Sequence, residues 1–359
     1  MRVTANQVTL ARFVLLPVPV ALYYKGFALS QAGDAATGQF WMLGALGVYI
    51  LLGLTDALDG ILARRYGVTP LGGLLDPIVD KIFLVAAYLP LADSDVVRML
   101  FVAAIFFREL LVTVLRSIAL EEKFEFKTSR IAKLKTTVQM AGGGFLLLIW
   151  MYPEDHIIRP ILIVAGALAL LPPLRAFISG RLPGWRSTSG AILINTILVL
   201  RLLLTPDQAN YGLMLFIVGI TLYSGAEYVW GMRGVLMRRF ARSPVEALRL
   251  LALALALPAG MLPAMELGGA PAFTIMGVLA AELAVGGLDN SLVQFGRSRG
   301  PWADLLRAAI QAGAGIYLMS VLPGGTPLQI YGPVVLALVV TLADLFQRAG
   351  RHTDVFRSI

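Results

Sequence analysis

Four carboxylates, Asp56, Asp59, Asp76 and Asp80, fall within 25 residues of a chain that is otherwise largely apolar. An ionisable group inside a bilayer costs roughly 2.5 to 3.5 kcal/mol on insertion scales, so four together call for a bound cation or a reaction. Asp56 and Asp59 are three apart and Asp76 and Asp80 four apart. Those spacings put each pair on one face of a helix, with Gly60 and Ala63 continuing the first face. Between the pairs, "RRYGVTPLGG" has the glycine and proline content of a turn that returns the chain antiparallel, so the two acidic faces are expected to meet. Carboxylates at such range repel one another, and the remedies are protonation or a hard divalent cation with oxygen ligands, Mg²⁺ or Mn²⁺. Two such ions held by Asp56, Asp59, Asp76 and Asp80 can clamp a diphosphate. Gly60 and Ala63 leave a nucleotide room to approach the backbone, and Arg64 can pair with phosphate oxygens in a bidentate fork. A phosphoryl-transfer site has these parts.

The elements that must position these residues are membrane helices. Hydrophobic residues make up 58% of the 359 and charged residues 14%, against about 45 to 50% and about 25% in a soluble domain. Long apolar runs recur, which predicts an all-α polytopic integral membrane protein, since only helices and closed barrels satisfy their backbone in lipid. Twelve spans are expected: 10–28, 41–66, 72–92, 98–120, 132–151, 157–176, 190–206, 211–231, 247–265, 271–288, 304–323 and 329–347. The segment "ISGRLPGWRSTSGA" interrupts them, so residues 179–189 read as a linker between a domain at 1–178 and a second helical membrane domain at 190–359, six spans each. Basic residues crowd the even-to-odd connections, which by the positive-inside rule places both termini and the four aspartates on the cytoplasmic side. The opening apolar run lacks a small-residue cleavage site and reads as a retained first span.

Cysteine is absent and only His156 and His352 could supply imidazole, which excludes thiolate chemistry and leaves oxygen as the metal donor. The net charge of +8 follows the topology, so it is assigned to anionic membrane lipids and not to nucleic acid.

The segment "DALDGILARRYGVTPLGGLLDPIVDK" resembles the signature of the CDP-alcohol phosphatidyltransferases, D-x-x-D-G-x-x-A-R followed by G-x-x-x-D-x-x-x-D. Asp56, Asp59, Gly60, Ala63, Arg64, Gly72, Asp76 and Asp80 meet every fixed position. At roughly 5 to 8% usage per residue type, chance gives such a match about once in a billion starts or less. The spacer, residues 65–71, is one residue shorter than is usual in that family. "NQVTLARFVLLP" resembles the family's amphipathic lead-in to the first helix, and "RELLVTVLRSIAL" with "AKLKTTVQM" is similar to its phosphatidylglycerophosphate synthase branch. Together these cover most of residues 5–145, and nothing similar is visible past the linker.

The resemblance implies a six-helix catalytic bundle in which Asp56, Asp59 and Asp76 ligate metal and position the diphosphate of CDP-diacylglycerol. Asp80, beside the same ions, acts as general base on the acceptor hydroxyl, and CMP leaves. Gly60, Ala63, Arg64 and Gly72 fall on the donor side. Thr9 joins them there with Arg12, although polar anchors of an interfacial helix explain those two equally well. The branch resemblance implies a small phosphorylated alcohol, sn-glycerol 3-phosphate, as acceptor, with serine or inositol phosphate still open. Arg108, Arg116, Lys133 and Lys135 are the candidate cations for its phosphate, Arg116 and Lys135 foremost, against the alternative of an interior Arg108–Glu109 ion pair.

A secondary transporter that uses the carboxylates as a proton or cation site is the rival function, because two blocks of six spans is also a transporter architecture. In the second half, Arg201, Glu227, Glu246, Glu282, Asp289 and Asp304 show no repeated spacing and read as helix-end solvation or isolated pairing. Lipid handling, a partner surface, contacts of a homodimer or a degenerate repeat are all compatible with this half. A repeat is suggested by "TLARFVLLP" beside "LVLRLLLTP". Gly142, Gly143 and Gly144 are expected to allow close helix packing.

Overall fold

The computed structural model describes residues 5–66, 70–125, 130–297 and 301–352, and within them every side chain except those of residues 5, 56–66, 70, 71, 130, 155 and 186. The side chains of Asp56, Asp59, Gly60, Ala63 and Arg64 therefore lie outside the described residues, whereas their backbone belongs to a helix.

The chain is all-α, and the described residues contain no strand. The helices are α1 (Ala5–Leu15), α2 (Pro17–Gln31), α3 (Ala35–Tyr66), α4 (Pro70–Asp93), α5 (Met99–Glu121), α6 (Arg130–Met151), α7 (Asp155–Ile178), α8 (Trp185–Leu203), α9 (Pro206–Arg242), α10 (Pro244–Leu255), α11 (Ala272–Gln294), α12 (Pro301–Val321) and α13 (Pro327–Arg351). Proline and capping chemistry set several of these limits. Pro17, which has no amide N–H to donate, separates α1 from α2 within the expected first span. Thr205 with Gln208 and Thr326 with Gln329 form capping boxes that start α9 and α13, each with proline at the first helical position. The expected span 247–265 is not one helix: α10 has 12 residues and is followed by a 3-10 segment, Leu262–Leu267. Pro258, Gly260 and Pro263 fall where a continuous helix would run.

This is an integral membrane protein. Six described segments are long and apolar enough to cross a bilayer: Asn6–Gln31, Ala35–Thr55, His156–Ile178, Pro206–Arg242, Ala272–Gln294 and Pro327–Arg351. Their outer faces carry exposed apolar side chains such as Leu168, Leu171 and Phe177 on α7 and Val335, Leu336 and Val339 on α13, a surface suited to lipid and not to water. Helices α4, α5, α6 and α12 have 21 to 24 residues but carry interior charges, among them Asp80, Arg108, Lys135 and Arg307. Helix α3 has 32 residues, of which about 20 suffice for the hydrocarbon core at about 1.5 Å per residue.

Helix α1 packs against both acid-bearing helices, α3 and α4. Beyond the connection at 179–184, helices of the second half return to the first: α9 lies against α5 and α6, α10 against α5, and α11 against α4 and α5. One apolar cluster includes Tyr88, Phe106 and Leu146 from the first half and Ile217, Leu279 and Ala337 from the second. Gly142 fits this packing, since a Cβ there would lie 2.6 Å from Ile217 Cδ1 on α9.

Candidate active site

Asp76 and Asp80 occupy successive turns of α4, both half-buried, and α1 supplies a partner to each. Thr9 Oγ1 donates to Asp76 Oδ1 at 2.8 Å, and Arg12 Nη1 donates to Asp80 Oδ1 at 3.2 Å. Thr9 and Arg12 are fully buried, at 0% and 1% exposure, whereas Leu10, Phe13, Val14 and Leu15 on the same helix are exposed. The amphipathic pattern of α1 thus seats two polar groups on the carboxylates and leaves an apolar face outward. Thr9 and Arg12 thus reach the aspartates from an amphipathic helix, as the anchor reading expects.

Beside Asp80 opens a cavity of about 200 Å³ lined from α4, α5, α6 and α9. Its charged lining is four cations, Lys81, Arg108, Arg116 and Lys135, and two carboxylates, Asp80 and Glu109. Asp80 is already matched by Arg12. Glu109 accepts from Arg108 Nη1 at 3.1 Å, Lys135 Nζ at 2.7 Å and Gln139 Nε2 at 3.4 Å. Lys81 Nζ donates to Thr113 Oγ1. Arg116 is exposed and makes no ion pair among the described residues. A positive excess remains in a largely buried space, an arrangement that favours a small dianion.

Of the four acceptor cations expected from the sequence, Arg108, Arg116 and Lys135 share this cavity. Lys133 does not line it, and its Nζ sits 5.6 Å from the Trp185 ring centroid. Arg108 and Glu109 do form the interior ion pair while also lining the cavity. Gly72 is buried at the start of α4. The cavity also contains residues that sequence reasoning missed: Lys81, Thr113, Gln139 and Tyr228. For Lys81 the signal was its place next to Asp80. Tyr228 lies about 120 positions along the chain from Arg108 and carried none.

An apolar groove of about 580 Å³ adjoins the polar cavity and shares Thr136 and Met140 with it. Leu46, Ile50, Leu54, Phe83, Phe145 and Trp185 line it. A polar, cationic cavity beside an apolar groove can bind an amphiphile and a small anion together.

Among the described residues, no group of three or more His, Cys, Asp or Glu side chains is arranged around a common point as for a metal. Asp56 and Asp59, the other half of the expected cluster, lie outside the described side chains. Asp76 and Asp80 offer carboxylate oxygens, the type a hard divalent cation prefers, and Asp76 Oδ2 has no partner among the described residues.

The acidic signature of the second half also resolves into contacts. Glu282, Asp289, Asp304 and Asp344 bind Arg249, Arg307 and Arg348 in one buried network, in which Arg249 Nε donates to Asp304 at 2.7 Å and Arg307 Nε to Glu282 at 2.7 Å. These charges are neither isolated pairs nor helix-end solvation, because the helices that carry them pack together. Gln311 bridges Glu282 and Thr341 there as Gln139 bridges Glu109 and Thr221 beside the cavity.

A family profile for CDP-alcohol phosphatidyltransferase matches residues 2–171. The chain is 35% identical over 144 residues to a CDP-diacylglycerol–glycerol-3-phosphate 3-phosphatidyltransferase of Rickettsia typhi, covering 40% of this chain and 75% of that protein. It is 32% identical over 146 residues to the Bacillus subtilis protein of the same name, covering 40% of this chain and 75% of that one. A probable phosphatidylglycerophosphate synthase of Mycobacterium tuberculosis is 34% identical over 168 residues, 46% of this chain and 75% of that protein. No solved structure matches the chain.

Proposed function

Because the chain belongs to the CDP-alcohol phosphatidyltransferase family, we propose that it transfers the phosphatidyl group of CDP-diacylglycerol to sn-glycerol 3-phosphate and releases CMP. Family membership favours this transferase over the transporter alternative. The observation that carries the choice of acceptor is the excess of cations facing one small cavity next to Asp80. A neutral alcohol has no use for Lys81, Arg108, Arg116 and Lys135, whereas a phosphate accepts hydrogen bonds from several of them at once.

Each group then has a task. Asp56, Asp59, Asp76 and Asp80 hold two divalent ions, Mg²⁺ or Mn²⁺, and the carboxylate donor set fits such ions. When bound, the ions neutralise the donor diphosphate and the departing CMP. Gly60, Ala63, Arg64, Gly72 and Thr9 seat the cytidine diphosphate, and the neighbouring apolar groove takes lipid chains. Arg12 orients Asp80, which receives the proton of the acceptor hydroxyl as its oxygen attacks the phosphorus that carries diacylglycerol. The phosphoanhydride bond from that phosphorus to the CMP oxygen breaks as the new ester bond forms, so one anhydride is exchanged for one ester and the bridging oxygen leaves with CMP. Arg108, Arg116 and Lys135 hold the acceptor phosphate; Lys133, over Trp185, acts at the groove instead.

Residues 1–178 form the catalytic domain and 190–359 the second membrane domain in this reading, with the active site and both termini on the cytoplasmic side of a bacterial membrane. An acceptor panel tests it: purified protein with CDP-diacylglycerol should release CMP with sn-glycerol 3-phosphate and not with inositol or serine. CMP release with a neutral alcohol in preference would overturn the assignment of the acceptor.

A further inference from the structure

Helix α9 lies wholly outside residues 2–171, the part matched to the family, yet it touches the cavity at its most charged wall. Ser224 Oγ accepts from Arg108 Nη2 at 2.8 Å. Gly225 lies beneath the same side chain, so closely that a Cβ there would sit 2.9 Å from Arg108 Cγ. Arg108 Cζ stands 5.7 Å from the Tyr228 ring centroid, and Tyr228 itself lines the cavity. One helical turn earlier, Thr221 Oγ1 accepts from Gln139 Nε2 at 3.0 Å, and the same amide contacts Glu109. Ser224, Gly225 and Tyr228 thus meet Arg108 on one face of α9, while Thr221 fixes its carboxylate partner through Gln139.

Arg108 is 5% exposed, and its Nε has no hydrogen-bond partner among the described residues. A buried guanidinium N–H without an acceptor is costly, and this one belongs to a residue that lines a cation-rich cavity. Two buried arginines of the second half, Arg307 and Arg348, differ. Arg307 and Arg348 each bind two or more carboxylates, among Glu282, Asp289, Asp304 and Asp344. Arg307 and Arg348 are thus matched by several carboxylates, whereas Arg108 binds Glu109 alone among the described carboxylates and lines a cavity with more cations than carboxylates.

We propose that α9 is a wall of the acceptor site, with Ser224 and Gly225 as positioning residues for Arg108 and Tyr228 as a specificity-determining residue at the cavity, so that the second half of the chain sets affinity for a phosphorylated small molecule. This rests on the reading of the cavity as the acceptor site. The second half is then part of the site and not an appended module. Ser224 holds one guanidinium arm and Glu109 the other, which fixes the plane that Arg108 presents at the cavity. Gly225 admits the aliphatic stem because no side chain stands in its way.

The test uses the full-length protein in detergent, with two readouts: KM for each substrate from CMP release, and calorimetric binding of sn-glycerol 3-phosphate and of inorganic phosphate. Ser224→Ala should raise the acceptor KM about tenfold and weaken binding of both phosphates by a similar factor, with the KM for CDP-diacylglycerol unchanged. Ser224→Thr, which keeps the hydroxyl, should restore acceptor KM, and Gly225→Leu should exceed the effect of Ser224→Ala by displacing the stem of Arg108. Turnover with unchanged acceptor KM and unchanged phosphate binding in Ser224→Ala and Gly225→Leu would overturn the inference and leave the transferase reading intact. If wild-type protein releases no CMP with sn-glycerol 3-phosphate but its phosphate binding weakens in Ser224→Ala, the acceptor assignment falls and the role of α9 stands. Equal changes in both KM values would also overturn it, since that is the mark of a general packing defect.

Discussion

Arg12 Nη1 lies 3.2 Å from Asp80 Oδ1 and joins the amphipathic first helix to the second acidic pair. The arginine is 1% exposed, and the carboxylate side chain keeps 34% exposure toward the cavity. One oxygen of Asp80 is therefore fixed while the residue stays accessible. Replacing Arg12 by Ala should lower kcat about 10- to 100-fold with little change in the KM for acceptor, because a base that loses its orienting partner loses its alignment. Arg12→Lys should recover only part of this, since a single ammonium cannot reproduce the guanidinium geometry. Steady-state kinetics on the two variants check this.

Removal of divalent ions follows from the carboxylate set. Exhaustive chelation should abolish CMP release, and Mg²⁺ or Mn²⁺ should restore it. Asp76→Ala should raise the metal concentration needed for half-maximal activity by tenfold or more, because it deletes an oxygen donor that the protein leaves open at Oδ2. A metal titration of activity reads this directly, and an Asp76→Ala protein with an unchanged metal requirement would remove that residue from the ligand set.

Among the described residues, Glu109 is the only carboxylate that Arg108, Lys135 and Gln139 contact, and it is 3% exposed. Glu109→Ala leaves two buried cations without their counter-charge, for which the expected loss is about 3 to 5 kcal/mol of stability. Thermal melting in detergent should show it, and melting should recover in part when phosphate is added, because an anion in the cavity supplies the missing charge.

Asp304 is fully buried and binds Arg249, Arg307 and Arg348. Asp304→Ala should destabilise the protein by about 3 to 5 kcal/mol. By contrast, Arg233→Ala on the α9 surface, where the guanidinium rests 4.3 Å from the Trp230 ring centroid, should change melting by only about 0.5 to 1 kcal/mol. The ratio of the two shifts separates a structural network from ordinary surface charge.

The sequence made the acidic pairs readable because three- and four-residue spacings on a helix need no knowledge of packing. The same holds for most of the apolar spans, though not for 247–265, and for Arg108 and Lys135, which stand out as charges inside apolar helices. Lys133 could have been separated from Lys135 on the same grounds. Residues i and i+2 point about 200° apart around a helix axis, so both could not face one cavity, and Lys133 in fact meets Trp185. The partners across helices were not legible. Arg12 and Asp80 are 68 positions apart, Arg108 and Ser224 116 apart, and Arg249 and Asp304 55 apart. Such contacts depend on which helices pack side by side, and apolar periodicity leaves that open. Nor did the sequence comparison of "TLARFVLLP" with "LVLRLLLTP" point to the arrangement that does recur, Glu109–Gln139–Thr221 and Glu282–Gln311–Thr341, because its members are spread over three helices in each case.

The most direct measurement compares wild-type and Asp80→Asn protein at saturating CDP-diacylglycerol, sn-glycerol 3-phosphate and divalent metal, with CMP and the lipid product quantified together. Wild-type protein should form one phosphatidylglycerophosphate for each CMP released, and Asp80→Asn should bind CDP-diacylglycerol normally and form neither product. An Asp80→Asn protein that turns over at the wild-type rate, or wild-type CMP release that does not require the acceptor, would contradict the account.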